Sequence, residues 1–471
     1  MNIIDSLNSF LSTYVLVAIL LGAGLFFTFY LGGVQFRMIP EMLRLLFESG
    51  RRHEQPADLQ QPASKSVTSF QAFALSLAAR VGTGNIAGVA IAITLGGPGA
   101  IFWMWVTAII GAASAFVEST LAQLYKVKGE DEYRGGPAYY ILKGTGKRWW
   151  AVLFAILITI TFGLAFNSVQ ANTIDIALKA TFGFDGLWVA VALAAMAGFV
   201  ICGGVHRISR FTQVVVPVMA IGYILLALYV IIIRYEMFPV VQKTIIENAF
   251  GVHQAVGGSI GMALIIGEKR GLFSNEAGEG STPNAAAAAS VTHPVKQGLI
   301  QTFGVYTDTL LVCTATAFII LCSGAIDTGL TGMELTQAAL QSEIGSVAAI
   351  YLTVALFLFA FTSIVANYYY GETNIAFINS RKKWMIYLFR AVVTGTVFFG
   401  AIAELPLVWA LADITMALMT CCNVVAILVL GKYARRCLKD YVKQKKDGKD
   451  PAYTRNTIPE IADKTECWPE Q

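Results

Sequence analysis

Eleven apolar runs set the fold class of this chain. They lie near residues 14–33, 67–97, 99–124, 149–175, 186–204, 211–233, 254–290, 297–322, 347–370, 384–402 and 407–430. Most are roughly 18–25 residues long, the length that carries an α-helix across the hydrocarbon of a bilayer. None alternates in the ten-residue pattern of a membrane barrel strand. Backbone surrounded by lipid must satisfy its hydrogen bonds internally, so the runs predict an all-α polytopic membrane protein of about 11 transmembrane helices. Charge content agrees. Only 14% of the 471 residues are Asp, Glu, Lys or Arg, against about 25% in soluble domains, and mean hydropathy is +0.62.

Lys and Arg give the orientation. With the N-terminus outside, the inner loops and the tail carry 27 basic residues and the outer loops carry three, Lys179, Arg234 and Lys243. The expected topology is therefore N-out and C-in. The N-terminus has neither a basic n-region nor a small-residue cleavage site, so no removable signal peptide is expected. Residues 1–33 hold one N-terminal helix. Within 34–66, the stretch 34–48 reads as an amphipathic helix on the cytoplasmic face, and 49–65 as a polar linker. Residues 431–471 read as a flexible, charged cytoplasmic tail. Seven scattered cysteines carry no CxxC or metal-ligand spacing, so reduced thiols are expected. A net charge of +4 says little about nucleic acid, and no such partner is expected.

The second run contains "ARVGTGNIAGVA" at 79–90, with Arg80, Gly82, Thr83, Gly84, Asn85 and Gly88 at bilayer depth. Glycine weakens a helix interior by about 1 kcal/mol relative to alanine. Two readings compete. Gly84 and Gly88 have the GxxxG spacing of a close-packing seam. Packing alone does not require Arg80, Thr83 and Asn85 in the same stretch, and buried polar groups in membranes are costly and usually functional. The balance favours a broken helix.

The seventh run has a matching feature. "GEKRGLFSNEAGEGSTPNAAAAAS" at 267–290 mixes four glycines and Pro283 with Glu268, Lys269, Arg270, Glu276 and Glu279. Paired interruptions at corresponding places in two halves point to a transporter binding site. Five runs from the second (67–233) and five from the seventh (254–430) each open with a broken helix. That is the layout of a five-plus-five inverted repeat with one extra helix in front. A half-helix starting after Gly84 offers free N–H groups to a carboxylate. Unwound carbonyls near Ala78–Val81 suit a cation. An amino acid together with sodium fits both.

At these residues the chain resembles the sodium:alanine (alanine or glycine:cation) symporter family of the amino acid-polyamine-organocation superfamily. "RVGTGNIAGVA" and "GLFSNEAGEGSTPNAAAAA" carry the resemblance, with "RGGPAYYI", "FAFTSIVANYYYGE" and "LPLVWALADITMA" as further blocks in order. It covers nearly the whole chain apart from the tail. It implies the leucine-transporter-type fold, with core helices 1 and 6 broken. It also implies sodium-coupled uptake of alanine or glycine by alternating access, in the cytoplasmic (inner) membrane of a bacterium, with membrane lipid as surroundings. Sodium is a co-transported ligand and no cofactor is implied. By the same resemblance Gly82, Thr83, Gly84 and Asn85 form the first break, and Phe273, Ser274 and Asn275 the second. Gln170 looks like a polar wall of the substrate pocket. The implied sodium ligands are the carbonyls of Ala78, Val81 and Phe359 with the hydroxyls of Thr362 and Ser363. Oxygen donors suit a hard cation.

Other polar residues are weighed on position. Arg80 is expected to pair with Glu118 or Glu276, as structure or as a gate. Asp308 and Asp413 are expected to hydrogen-bond to neighbouring helices, and Glu372 to cap or gate its span. Tyr368–Tyr370 are read as interfacial anchors, and His206, His253 and His293 as solvent-facing. Proton coupling through the buried acids is the close alternative. A channel would need a continuous polar path, and no nucleotide loop, His-rich metal motif or catalytic pair suggests an enzyme.

Overall fold

A computed structural model describes residue 8 and residues 10–48, 67–129, 132–251, 260–379 and 383–470. The linker 49–66, His253, Arg381 and Lys382 lie outside the described residues, and the side chain of His206 is not among those described. The first membrane helix, α1 (Val17–Tyr30), follows a π-helical turn at Leu11–Leu16, and α2 (Ile39–Glu48) is the amphipathic helix. The second run forms α3 (Ser69–Arg80), a π-helical turn at Gly84–Gly88 and α4 (Val89–Gly96). Next come α5 (Gly99–Leu124), α6 (Arg148–Ile160), α7 (Asn167–Phe182), α8 (Gly186–Ile201) and α9 (Gly204–Ile233). The seventh run gives α10 (Ile260–Asn275) and α11 (Pro283–Ala288). The rest are α12 (Pro294–Val305), α13 (Thr314–Ser323), α14 (Ser346–Ile378), α15 (Lys383–Ile402) and α16 (Leu405–Lys446).

Among the described residues, eight helices are long and apolar enough to cross a membrane, with α6–α7 and α12–α13 each counted as one. The α3–α4 pair, bent by 50°, makes nine. Two of the eleven apolar runs fall short of that length. The α8 helix has 16 residues. The seventh run is interrupted after α10, also of 16 residues.

Local chemistry sets these boundaries. Thr68 and Gln71 exchange side chain-to-backbone bonds at the start of α3, closing both free N–H groups. Pro283 and Pro294 occupy first-turn positions of α11 and α12, where no N–H is needed. Around the centre sit α5, α10 and α12, each packed on the others or on the break of α3.

The tail is folded, contrary to the expectation of a flexible segment. α16 continues to Lys446, and two short 3₁₀ turns follow at Arg455–Thr457 and Pro459–Lys464. The segment returns to the membrane domain because its charged sequence carries spaced apolar residues. Tyr453, Ile458, Ile461, Cys467 and Trp468 are all buried. The indole of Trp468 donates toward the carbonyls of Gln123 (3.3 Å) and Leu124 (3.2 Å) at the end of α5, where carbonyls lack helical partners. Beside it the Lys126 ammonium lies 4.2 Å from the Tyr133 ring and 4.8 Å from the Trp468 ring. Burial pushes that ammonium down to about 8. The Tyr453 N–H donates to the carbonyl of Thr292 at 2.9 Å, and Lys296 pairs with Asp450 at 3.0 Å.

His293 is fully buried under this tail rather than solvent-facing. Its Nδ1 accepts from Val295 N, and its Nε2 lies 3.3 Å from Asp440. Burial depresses its pKa, against the opposing pull of Asp440. The anchoring of α2 is also electrostatic. Burial raises the Glu41 carboxyl, but Arg44, Tyr441 and Lys445 outweigh it and hold it at about 2.

Removing the indole tests the dock. Trp468→Ala forfeits about 3–5 kcal/mol of burial. Trypsin is expected to cut at Lys449 and Arg455 faster than in the wild type, with the membrane helices intact. Equal cutting rates would show that the indole does not hold the tail.

Candidate functional site

Both interruptions lie inside the protein. Val81 departs from helical geometry with φ −79° and ψ 90°, and the backbone resumes as the π-helical turn at Gly84. Between α10 and α11 the chain turns at residues 276–282, with Glu276 in the left-handed region at φ 56°. That conformation is uncommon for a residue bearing a Cβ and persists where surroundings enforce it. The Glu276 carboxylate accepts from Ser281 (2.5 Å) and Thr282 (3.2 Å), across the same turn.

Four residues of the expected cation site, Ala78, Val81, Phe359 and Ser363, meet, while the Thr362 hydroxyl bonds within its own helix. Ser363 Oγ lies 2.8 Å from the Ala78 carbonyl, 3.0 Å from that of Phe359 and 3.5 Å from that of Val81. Thr362 Oγ1 donates to the Phe359 carbonyl at 2.9 Å. All are buried. The donors are neutral oxygens, in keeping with the preference of a hard monovalent cation.

Seven of the eight residues of the expected substrate site lie alongside, and the Asn275 amide oxygen turns to the N–H of Ala277. Gln170 Oε1 accepts from Thr83 N at 3.1 Å, and Asn85 Oδ1 accepts from Gly82 N at 2.9 Å. The first N–H groups after the break are thus held by side chains rather than free. A Cβ on Gly82 would stand 2.5 Å from Ser363 Oγ and 2.9 Å from Gln170 Oε1. Gly82 therefore fills the gap between the oxygen cluster and the pocket wall. Phe273 faces Gly84, and its ring packs against Phe166 at 4.4 Å and Trp409 at 4.8 Å. Ser274 donates to Asp308 at 2.8 Å. Thr83 Oγ1 and Asn275 Nδ2 are buried without a partner. Such atoms in a native interior call for a ligand, water or ion.

Several charged residues differ from expectation. Arg80 forms no ion pair among the described residues. Its Nη1 donates to the Gln301 carbonyl at 3.1 Å, while Nε and Nη2 have no partner. Glu118 instead accepts from Gly278 N (3.2 Å) and Asn423 (2.8 Å). These satisfy its carboxylate without the guanidinium. Tyr368–Tyr370 are buried, not interfacial, because their helix α14 runs eight residues past Tyr370, to Ile378. Tyr368 accepts from Arg390 at 2.8 Å, and Arg390 reaches Glu372 at 3.6 Å. Asp413 does bond to a neighbouring helix as expected, holding both Lys269 (2.7 Å) and Arg270 (2.8 Å), and Arg270 lies 4.4 Å from the Trp409 ring. Trp409 also lines a cleft of about 120 Å³ with Ala87, Ile91, Thr173 and Glu334.

Sequence reasoning missed that Asp308 and Trp409 contact the residues of the two breaks. Asp308 was visible as a lone acid, and Trp409 as an aromatic in "LPLVWALADITMA". Their partners are distant in sequence.

The model of the sodium:alanine symporter family matches residues 1–455. The chain belongs to that family. The probable sodium/glutamine symporter GlnT of Bacillus subtilis (strain 168) is 51% identical, over 99% of this chain and 96% of its own length. The amino-acid carrier protein AlsT of the same organism is 51% identical, over 96% and 94%. Among solved structures, MhsT in complex with L-phenylalanine superposes with a TM-score of 0.58 at 12% identity, covering 85% of this chain and 92% of that one. The symporter therefore has the leucine-transporter-type fold. This family member is a multi-pass membrane transporter and not an enzyme.

Proposed function

We propose that this symporter couples inward sodium movement to the uptake of a small neutral amino acid, alanine or glycine, by alternating access. It would sit in the cytoplasmic (inner) membrane of a bacterium, N-terminus outside and C-terminus cytoplasmic, with two five-helix halves at 67–233 and 254–430. The observation that carries the reading is the buried oxygen cluster of Ala78, Val81, Phe359 and Ser363 set against Gly82. A cation there would lie one residue from the backbone that takes the substrate carboxylate. Gly82, Thr83, Gly84, Asn85, Gln170, Phe273, Ser274 and Asn275 would line the substrate site. The unpartnered Thr83 hydroxyl and Asn275 amide would gain partners from a bound zwitterion. The Phe273 ring, pressed against Gly84, Phe166 and Trp409, favours a small side chain.

One observation favours proton coupling as a second reading. Both carboxylate oxygens of the buried Glu279 lack partners, and an isolated buried carboxylate is costly unless protonated.

Proteoliposomes separate these readings. Radiolabelled L-alanine uptake is expected under an inward sodium gradient and not under potassium at the same pH. Glycine should compete, and glutamine serves as the larger competitor. Thr362→Ala should lower sodium-dependent uptake by about tenfold or more, equal to roughly 1.4 kcal/mol. Uptake equal in potassium would overturn sodium coupling. Uptake of glutamine but not alanine would overturn the substrate.

A further inference from the structure

Asp308 lies on neither break, yet its carboxylate joins them. It sits in the π-helical turn Tyr306–Cys313 between α12 and α13, a local geometry that recurs at functional sites. One oxygen, Oδ1, accepts from Asn85 Nδ2 at 2.6 Å. The other, Oδ2, accepts from Ser274 Oγ at 2.8 Å and from Thr309 Oγ1 at 2.9 Å. Asn85 belongs to the first break and Ser274 to the second. All four side chains are buried.

The Asn85 amide is thereby oriented. A carboxylate only accepts, so it must face the NH₂ of Asn85 and turn the amide oxygen the other way. That oxygen receives the N–H of Gly82 at 2.9 Å. The N–H of Gly82 and the carbonyl of Val81 are the two edges of one planar peptide. Fixing one edge fixes the other, and the Val81 carbonyl points into the oxygen cluster at 3.5 Å from Ser363.

We propose that Asp308 is a positioning residue for the cation site: through Asn85 it orients the Val81–Gly82 peptide, and through Ser274 it makes that orientation depend on the second break. The proposal rests on the sodium reading above and adds how the two breaks communicate. Asp308 need not touch the ion. What the relay requires at this position is a hydrogen-bond acceptor for Asn85, not a charge.

The test uses the full-length protein in detergent or nanodiscs, with direct binding of ²²Na⁺ as the first readout and alanine uptake in proteoliposomes as the second. Asp308→Ala removes the acceptor. Its half-saturating sodium concentration is expected to rise about tenfold or more, as for loss of an outer-sphere partner. The alanine KM at saturating sodium should move less. Asp308→Asn keeps an oxygen for Asn85 and a donor for Ser274, and should stay within about threefold of wild type. If Asp308→Ala does not fold, Asn85→Ala cuts the next link and should raise the half-saturating sodium likewise, read by ²²Na⁺ binding alone because Asn85 also lines the proposed substrate site. An unchanged sodium half-saturation in folded Asp308→Ala would overturn the proposal. So would an Asp308→Asn variant as impaired as Asp308→Ala, because the charge would then act directly. A wild type that binds no sodium would instead remove the reading on which the proposal stands.

Discussion

Gly82→Ala is expected to abolish transport while the protein still inserts and folds. The added methyl would lie 2.5 Å from Ser363 Oγ, 2.9 Å from Gln170 Oε1 and 3.1 Å from Gln170 Nε2. It meets Ser363 on one side and Gln170 on the other, so relief in either direction displaces a group of the proposed sodium or substrate site. Overpacking of this kind costs about 1–3 kcal/mol, which a large helical bundle absorbs. The matched control is Gly88→Ala. There the nearest atoms are 3.8 Å and 3.9 Å away, an ordinary contact. Alanine also favours the helix by about 1 kcal/mol over glycine. Alanine uptake per folded transporter in proteoliposomes reads the difference. Uptake by Gly82→Ala within twofold of wild type would mean that the gap between Ser363 and Gln170 has no role.

The largest stability loss is expected at Asp413→Ala. Asp413 neutralises Lys269 and Arg270, whose side chains are only 10% and 5% exposed. Removing one partner of a buried ion pair costs about 3–5 kcal/mol, because the remaining charge is left without compensation. Here two cations lose the same partner. Arg270 also packs over Trp409, and Trp409 over Phe273, so the damage reaches the candidate substrate site. A detergent melting curve should shift markedly downward, with Asp413→Asn falling between the variant and wild type. An unchanged melting curve for Asp413→Ala would show that Lys269 and Arg270 find other partners.

How much was legible in the sequence depends on the reach of each signal. The two interruptions were legible because glycine and polar residues at bilayer depth are locally anomalous. So was the meeting of Ala78, Val81, Phe359 and Ser363, through the family resemblance. GxxxG spacing alone did not distinguish Gly84 from Gly88. The structure does, since a Cβ on Gly84 meets Phe273 at 2.9 Å and one on Gly88 meets nothing closer than 3.8 Å. Asp308 and Asp413 were visible as acids but not as bridges, because Asn85 is 223 residues from Asp308 and Arg270 is 143 from Asp413. The expected Arg80 pairing failed for a related reason. Glu118 is occupied by Asn423, 305 residues away. Charge density hid the tail's apolar spacing, which Tyr453, Ile458, Ile461 and Trp468 would have revealed.

The docked tail bears on how the molecule is made. Chains are synthesised from the N-terminus, and their parts fold in that order. Trp468 caps carbonyls at the end of α5 across a separation of 345 residues. Those carbonyls must wait, beside Lys126, for Trp468 to leave the ribosome. The helices can insert one after another, yet this face closes only once translation has passed Trp468. A chain cut back to Lys446 would carry all the described membrane helices and still leave that face open.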